Sequence, residues 1–154
     1  MPESPASTGE RKEFRLLVLS SHYPHKNLGP QQPEECPRLY FESDAVFLPT
    51  LLECSSANYV EAMAMRRSIV TTNLGFARTV CGNAALYFEL MDSADALEKI
   101  LELRRDDNLK HGLVEAGRQE LARFGTATER ASNYLEIYQQ LVDGRLRGNH
   151  LYRR

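Results

Sequence analysis

Apolar and polar residues follow two patterns along the chain, short apolar runs first and helical spacing afterwards. Four runs have the length and the β-branched or aromatic content of buried strands: residues 14–20, 45–48, 68–72 and 85–88. A helix is predicted at 38–43, and a loop with a short helix at 75–81. Strands that alternate with helices indicate an α/β domain with a parallel sheet.

The C-terminal part of the chain has purely helical spacing. Leu97 and Ile100 belong to an apolar stripe, and Thr126-Ala-Thr-Glu129 is a capping box that predicts the start of the last helix. That helix carries Tyr134 and Tyr138 one turn apart, a spacing more typical of core packing than of a binding surface. The pattern therefore predicts a helical C-terminal tail.

Length and composition set the domain organisation. A chain of 154 residues with 42% hydrophobic content fits one domain with its own core, which we place at residues 13–143. Residues 1–12 are rich in Pro, Ser and Glu and are expected to be disordered, and residues 144–154 form a basic tail. Because no apolar run approaches the roughly 20 residues that span a bilayer, and no signal-peptide core is present, we expect a cytoplasmic protein without a transmembrane segment.

Charge and cysteine content exclude some classes of function. The net charge of −2 gives no electrostatic preference for nucleic acid. The three cysteines, Cys36, Cys54 and Cys81, lack Cys-x-x-Cys spacing and are typical of reduced thiols rather than of a disulfide framework or a zinc site.

The strongest candidate chemistry lies in residues 45–64. A short strand is followed by Glu53 in a turn and by Glu61 eight positions later in a helix. The helix N-terminus between these carboxylates favours an anion such as a phosphate. The spacing has no weight alone, because the chain holds 15 glutamates and Glu34 and Glu42 repeat it.

A lysine follows the first predicted strand, as Glu53 follows the second. Lys26 and Glu53 therefore lie at the carboxyl ends of neighbouring parallel strands, which is where open parallel sheets bind ligands. This pair would suit a charged ligand. The alternative is that Lys26 is an ordinary solvated loop lysine.

Several segments, in the same order, resemble the C-terminal, donor-binding half of retaining GT-B glycosyltransferases of family four. These are Tyr23-Pro-His-Lys-Asn-Leu28, Glu53 with Glu61-Ala-Met-Ala seven residues further on, Ser68-Ile-Val-Thr-Thr-Asn-Leu-Gly75, and Val80-Cys-Gly-Asn-Ala-Ala-Leu-Tyr-Phe88. The resemblance implies a Rossmann-like parallel sheet of about four strands, half of a GT-B fold that lacks two strand–helix units between residues 28 and 37. Their absence would leave strand 14–20 as an exposed edge, which favours a homodimer or aggregation.

The resemblance also implies a role for each candidate residue. Glu61 would accept hydrogen bonds from the ribose hydroxyls of a nucleotide-diphosphate sugar, and Glu53 would act as the catalytic contact to the donor sugar. Lys26 would neutralise charge on the leaving diphosphate, and the amides of Ser55 and Ser56 would cradle the phosphates. Eight residues of helix would span about 12 Å, comparable to the distance from ribose to sugar across a pyrophosphate.

The resemblance bears on cofactors, partners and activity as well. Members of the family typically need no metal or other cofactor, and the chain offers no carboxylate cluster for one. Where the family has an arginine five positions before the lysine, this chain has Ser21. The chain also shows no N-terminal acceptor-binding domain, which is expected to be missing or to be a separate chain.

The resulting functional prediction is a glycosyltransferase-type protein that binds a nucleotide-diphosphate sugar for retaining transfer to an acceptor. The alternative is a catalytically inactive nucleotide-binding or interaction module derived from such an enzyme.

Overall fold

The computed structural model describes residues 13–18, 33–52 and 56–144. Within these ranges four strands form one parallel sheet, in the order in which they occur along the chain. The strands are β1 (Leu16–Leu17), β2 (Ala45–Leu48), β3 (Ser68–Thr72) and β4 (Ala85–Phe88). The predicted α/β class and parallel sheet are confirmed, and β2, β3 and β4 have the predicted bounds.

Helices connect and cover these strands. In the described part of the chain they are α1 (Cys36–Glu42), α2 (Ala57–Ala64), α3 (Gly75–Cys81), α4 (Ser93–Arg105), α5 (Asp107–Leu121) and α6 (Ala127–Val142), with short 3-10 turns at Pro33–Glu35 and Ala122–Phe124. Neighbouring parallel strands require a crossover connection. Here α2 joins β2 to β3, and α3 joins β3 to β4.

The sheet has an apolar core on each face, because side chains alternate along each strand. One face packs Val46, Leu48 and Ile69 against residues of α1, α2 and α3. The other face packs Val70 and Phe88 against α4 and α5. All five residues of β3 are buried, as expected for a strand with helices on both sides.

Helix α4 covers the core with only part of the predicted stripe, since Ile100 packs against the core. It buries Ala96 and Leu103, whereas Leu97 is 55% exposed. Helical spacing alone marks an apolar stripe of a certain width, and the packing partner decides which edge of that stripe is covered.

The chain divides into two compact units, Met1–Leu121 and Ala122–Arg154. The second unit contains α6, whose predicted capping box is confirmed: the Thr126 hydroxyl accepts from the Glu129 amide at 3.1 Å, and the Glu129 carboxylate accepts from the Thr126 amide at 2.6 Å. Tyr134 and Tyr138 of this helix are each 63% exposed. The prediction that they are core residues is therefore wrong.

Some sequence predictions fall outside the described residues, namely those for residues 1–12, for Cys54 and for the basic tail from residue 145 onward. None of the helices in the described ranges is both long and apolar enough to cross a membrane. Cys36 and Cys81 are free thiols.

Candidate functional site

The carboxyl ends of all four parallel strands meet at one edge of the sheet, and the candidate site lies on the connection that follows β2. The described part of this connection leads from Leu48 through residues 49–52, and α2 begins at Ala57 with Ser56 as its N-cap residue. The Ser56 hydroxyl makes no capping hydrogen bond within the described residues. The first amides of α2 therefore receive no side-chain cap from Ser56.

Glu61 lies in the second turn of α2, with an exposed side chain. Its Oε2 accepts a hydrogen bond from the Tyr40 hydroxyl at 3.0 Å. Tyr40 belongs to α1, only 2% of its surface is exposed, and it lies 21 residues from Glu61 in sequence. A buried group on a separate helix thus holds one oxygen of an exposed carboxylate.

The Tyr40 hydroxyl remains a donor over the whole physiological pH range. Burial raises its pKa above the ordinary value, and the hydrogen bond and the negative charge of Glu61 raise this pKa further. Because the phenol keeps its proton, it stabilises the Glu61 carboxylate and never repels it.

A second buried hydrogen-bond network fixes the start of α2 on the sheet. The Thr71 hydroxyl donates to the Leu48 carbonyl oxygen at 2.9 Å, so the Tyr59 hydroxyl, 2.9 Å from the Thr71 oxygen, is the donor in the second bond. Tyr59 is in the first turns of α2, and Leu48 and Thr71 are at the ends of β2 and β3. The network therefore sets the position of the α2 N-terminus relative to two strand ends.

The next connection, from β3 to α3, is held by a chain of polar side chains. The Asn73 amide donates to Glu89 Oε1 at 2.7 Å, and its carbonyl accepts from Arg78 Nε at 2.6 Å. The Arg78 guanidinium also lies over the Tyr87 ring, 4.3 Å from its centroid. Arg78 is therefore held in place by two contacts of its own.

Among the sequence-predicted residues, Ser56 and Glu61 lie in the described structure. They are five positions apart at the start of α2, which corresponds to a rise of about 7.5 Å along the helix axis. The expectation of eight helical residues before Glu61 is wrong, because the helix begins at Ala57. Lys26, Glu53 and Ser55, like Ser21, lie outside the described residues, and their meeting at this edge stays a prediction.

Sequence reasoning missed Tyr40 and Tyr59. A buried tyrosine hydroxyl usually has a hydrogen-bond partner, so tyrosines next to predicted strands are a usable signal. The sequence does not identify the hydrogen-bond partner, because Tyr40 and Glu61 come together only when α1 and α2 pack on the same face of the sheet.

The described residues contain no group of three or more His, Cys, Asp or Glu side chains arranged to hold a metal ion. The site, as far as it is described, consists of one held carboxylate beside a helix N-terminus. Such an arrangement can accept hydrogen bonds from neutral hydroxyls on one side and donate amide hydrogen bonds to an anion on the other.

Two comparisons bear on this site. The family model for glycosyl transferases group 1 matches residues 7–106, well over half of the chain, and this range includes the sheet, α2 and Glu61. No curated protein matches the chain.

Proposed function

The chain belongs to the glycosyl transferases group 1 family, and from this premise we propose that it binds the nucleotide-diphosphate sugar donor of a retaining glycosyl transfer. The observation that carries the proposal is the Glu61 carboxylate, which Tyr40 holds in the second turn of α2. A nucleotide-diphosphate sugar offers what this arrangement can bind, since its ribose hydroxyls are donors and its diphosphate is an anion.

Each site residue has a defined task in this proposal. Glu61 accepts hydrogen bonds from the ribose, while the amides of Ser55 and Ser56 and the ammonium group of Lys26 bind the diphosphate. Glu53 contacts the donor sugar at the reacting carbon. As the sugar moves to the acceptor hydroxyl, negative charge grows on the leaving diphosphate, and fixed donors at a helix N-terminus stabilise that charge. The donor requires no metal or other cofactor in this scheme.

Titration calorimetry with UDP, GDP and ADP tests the proposal. We expect one of the three to bind, Glu61→Ala to weaken that nucleotide at least tenfold, and Glu53→Ala to weaken mainly the sugar-bearing donor. Glu98→Ala, which removes an exposed glutamate from α4, is the matched control and should leave affinity unchanged. If none of the three nucleotides binds at millimolar concentration, the proposal fails.

Ser21 favours a second candidate function, a nucleotide-binding or interaction module without turnover. Ser21 stands where the family has an arginine, and a charge-assisted contact to phosphate is among the stronger ones in proteins. A nucleotide-release assay with the donor that binds distinguishes the two: release that depends on an added acceptor supports transfer, and binding without release supports the module. Ser21→Arg should then tighten nucleotide binding.

The acceptor site is proposed to come from outside the described residues, through a separate acceptor-binding chain or a second copy. β1 is the edge strand of the described sheet, and it pairs with β2 alone among the described strands. An edge strand with free backbone groups can accept another chain.

A further inference from the structure

Helix α6 has an apolar face that no described residue of its own unit covers. Its six large apolar side chains are each between 41% and 82% exposed: Tyr134, Leu135, Ile137, Tyr138, Leu141 and Val142. No residue in the range 122–144, the described part of the second unit, is buried. Because most helices in proteins are stabilised by packing of one face rather than by propensity, a helix of 16 residues with no buried residue requires a packing partner.

The six side chains share one face of the helix. With 3.6 residues per turn they fall within an arc of about 160°, which also contains Ala127 and Ala131. The opposite face carries polar side chains: Ser132, Asn133, Glu136, Gln139, Gln140 and Asp143. This separation of apolar and polar positions is typical of a helix that packs against another surface along its whole length.

The charge of α6 favours a protein rather than an anionic membrane as the partner. Amphipathic helices that lie on membranes are rich in Lys and Arg on the polar face. The polar residues of α6 include Glu129 and Glu136, and Arg130 is the one basic residue of the helix. Tyrosine, which supplies two of the six apolar side chains, is enriched in protein–protein interfaces.

The apolar face is complementary in size to a second copy of itself in the antiparallel orientation. Its N-terminal half carries the small side chain of Ala131, and its C-terminal half carries the larger side chain of Leu141. When Tyr134 of one copy lies opposite Tyr138 of the other, Ala131 comes opposite Leu141 at both ends of the pair. Small side chains then face large ones, which is the arrangement that fills a helix interface without voids.

Charge favours the same orientation. Arg130 borders the apolar face, next to Ile137 in the helical projection. In the antiparallel pair the two Arg130 residues are about 18 Å apart along the helix axis, well beyond the Debye length of about 8 Å at physiological ionic strength. In a parallel pair they would lie opposite each other and repel. The antiparallel pair also places the positive end of each helix dipole beside the negative end of the other.

We propose that α6 pairs antiparallel with α6 of a second copy of this chain, with Tyr134 of each copy opposite Tyr138 of the other. The six exposed side chains present on the order of 700 Å² of apolar surface, so the pair buries up to about 1,400 Å², within the range of stable interfaces. The surface is separate from the edge strand β1, which belongs to the first unit. The pairing needs no nucleotide, so its outcome is independent of donor binding.

Sedimentation equilibrium of the full chain tests the proposal. We expect a monomer–dimer equilibrium, and we expect Tyr138→Lys to raise the dimer dissociation constant at least about thirtyfold, because it places a charge on the paired face of both copies. Ser132→Lys adds the same charge to the polar face of the same helix and should change this constant less than about twofold. Equal effects of the two substitutions would overturn the proposal.

A contact through the edge strand is distinguished by Leu16→Lys, which should leave the α6 dimer in place. Loss of all association in Leu16→Lys would overturn pairing through α6. A monomer whose melting temperature falls with Tyr138→Lys would overturn it as well, because α6 would then pack within its own chain. So would a monomer that cosediments with vesicles of phosphatidylcholine and phosphatidylserine, since the face would then bind a membrane.

The orientation of the pair is tested by Ala131→Leu. In the antiparallel pair the added side chain meets Leu141 of the second copy, so we expect the dissociation constant to rise about five- to tenfold. Adding Leu141→Ala to the same chain should restore pairing. In a parallel pair Ala131 would face Ala131, so tighter pairing of the single variant would refute the antiparallel arrangement.

Discussion

Replacing Tyr40 by phenylalanine removes the hydroxyl that donates to the Glu61 carboxylate and leaves the buried ring in place. The lost bond is 3.0 Å long and has a charged acceptor, a class that contributes about 1.5–3 kcal/mol. Because Glu61 is exposed, water replaces part of the bond in the variant. We therefore expect Tyr40→Phe to lower the free energy of unfolding by about 1–1.5 kcal/mol in urea denaturation.

The same substitution should also act on ligand binding. Once Glu61 can adopt other rotamers, ordering it costs free energy on binding, so we expect nucleotide affinity to fall about three- to tenfold by calorimetry. Tyr87→Phe is the matched control, because it also removes a tyrosine hydroxyl bond, 2.7 Å to the Gly82 carbonyl oxygen, and Tyr87 packs against the same core without contacting Glu61. It should lower stability by about 1 kcal/mol and change affinity less than twofold.

A double-mutant cycle decides whether Tyr40 acts through Glu61. In the Glu61→Ala background, Tyr40→Phe should have no further effect on nucleotide affinity, and the stability effects should be coupled by at least about 0.5 kcal/mol. The stability coupling can be measured even if no nucleotide binds. Additive stability effects of the two substitutions would refute the view that Tyr40 positions the carboxylate.

Three further predictions concern the backbone, alkaline pH and self-association. Gly82→Ala should lower the free energy of unfolding by about 1–2 kcal/mol, because Gly82 has φ +51° and a Cβ there meets the Glu120 carboxylate. Gly112→Ala, in open space on α5, should instead raise the free energy of unfolding by about 0.5–1 kcal/mol. Changes of the same sign in urea unfolding would contradict this. Burial raises the pKa of Cys81 from 9.0 to about 12, so the stability that the protonated thiol contributes is complete below pH 9 and is lost as the pH rises toward 12. Between pH 8 and 10.5 the free energy of unfolding of the native chain should therefore fall by about 2 kcal/mol more than that of Cys81→Ala. Parallel pH profiles of the two proteins would argue against this. Light scattering at high concentration should give a mass above the monomer's 17.5 kDa. Leu16→Lys should lower this mass, because Leu16 is 36% exposed on the edge strand. A monomer at all concentrations would count against pairing through β1.

Much of the fold could be predicted from local sequence. The strands at 45–48 and 68–72 were bounded by polar residues or proline, and β3 consists largely of β-branched residues that favour extended backbone. The start of α6 could also be predicted from neighbouring residues, because the side chains of Thr126 and Glu129 accept hydrogen bonds from each other's backbone amides. Signals of this kind depend on neighbours a few positions away.

The candidate site was only partly predictable. Glu61 and Ser56 were predicted site residues, and both lie within the range that the family model matches. A helix carrying Glu61 after the turn at Glu53 was predicted, and the structure starts this helix at Ala57. The buried hydroxyl of Tyr40 beneath Glu61 was not predicted, because its partner is 21 residues away.

The sequence by itself determined the class of the fold, most strand bounds and the family, because apolar period, turn residues and segment order are written along the chain. Tertiary structure alone decided which side chains meet. Packing of α1 and α2 on one face joined Tyr40 to Glu61, and packing on the other face left the Thr72 hydroxyl buried with no hydrogen-bond partner among the described residues. Thr71 and Thr72 are identical in type and adjacent in sequence, yet the strand turns them to opposite faces, so their surroundings differ.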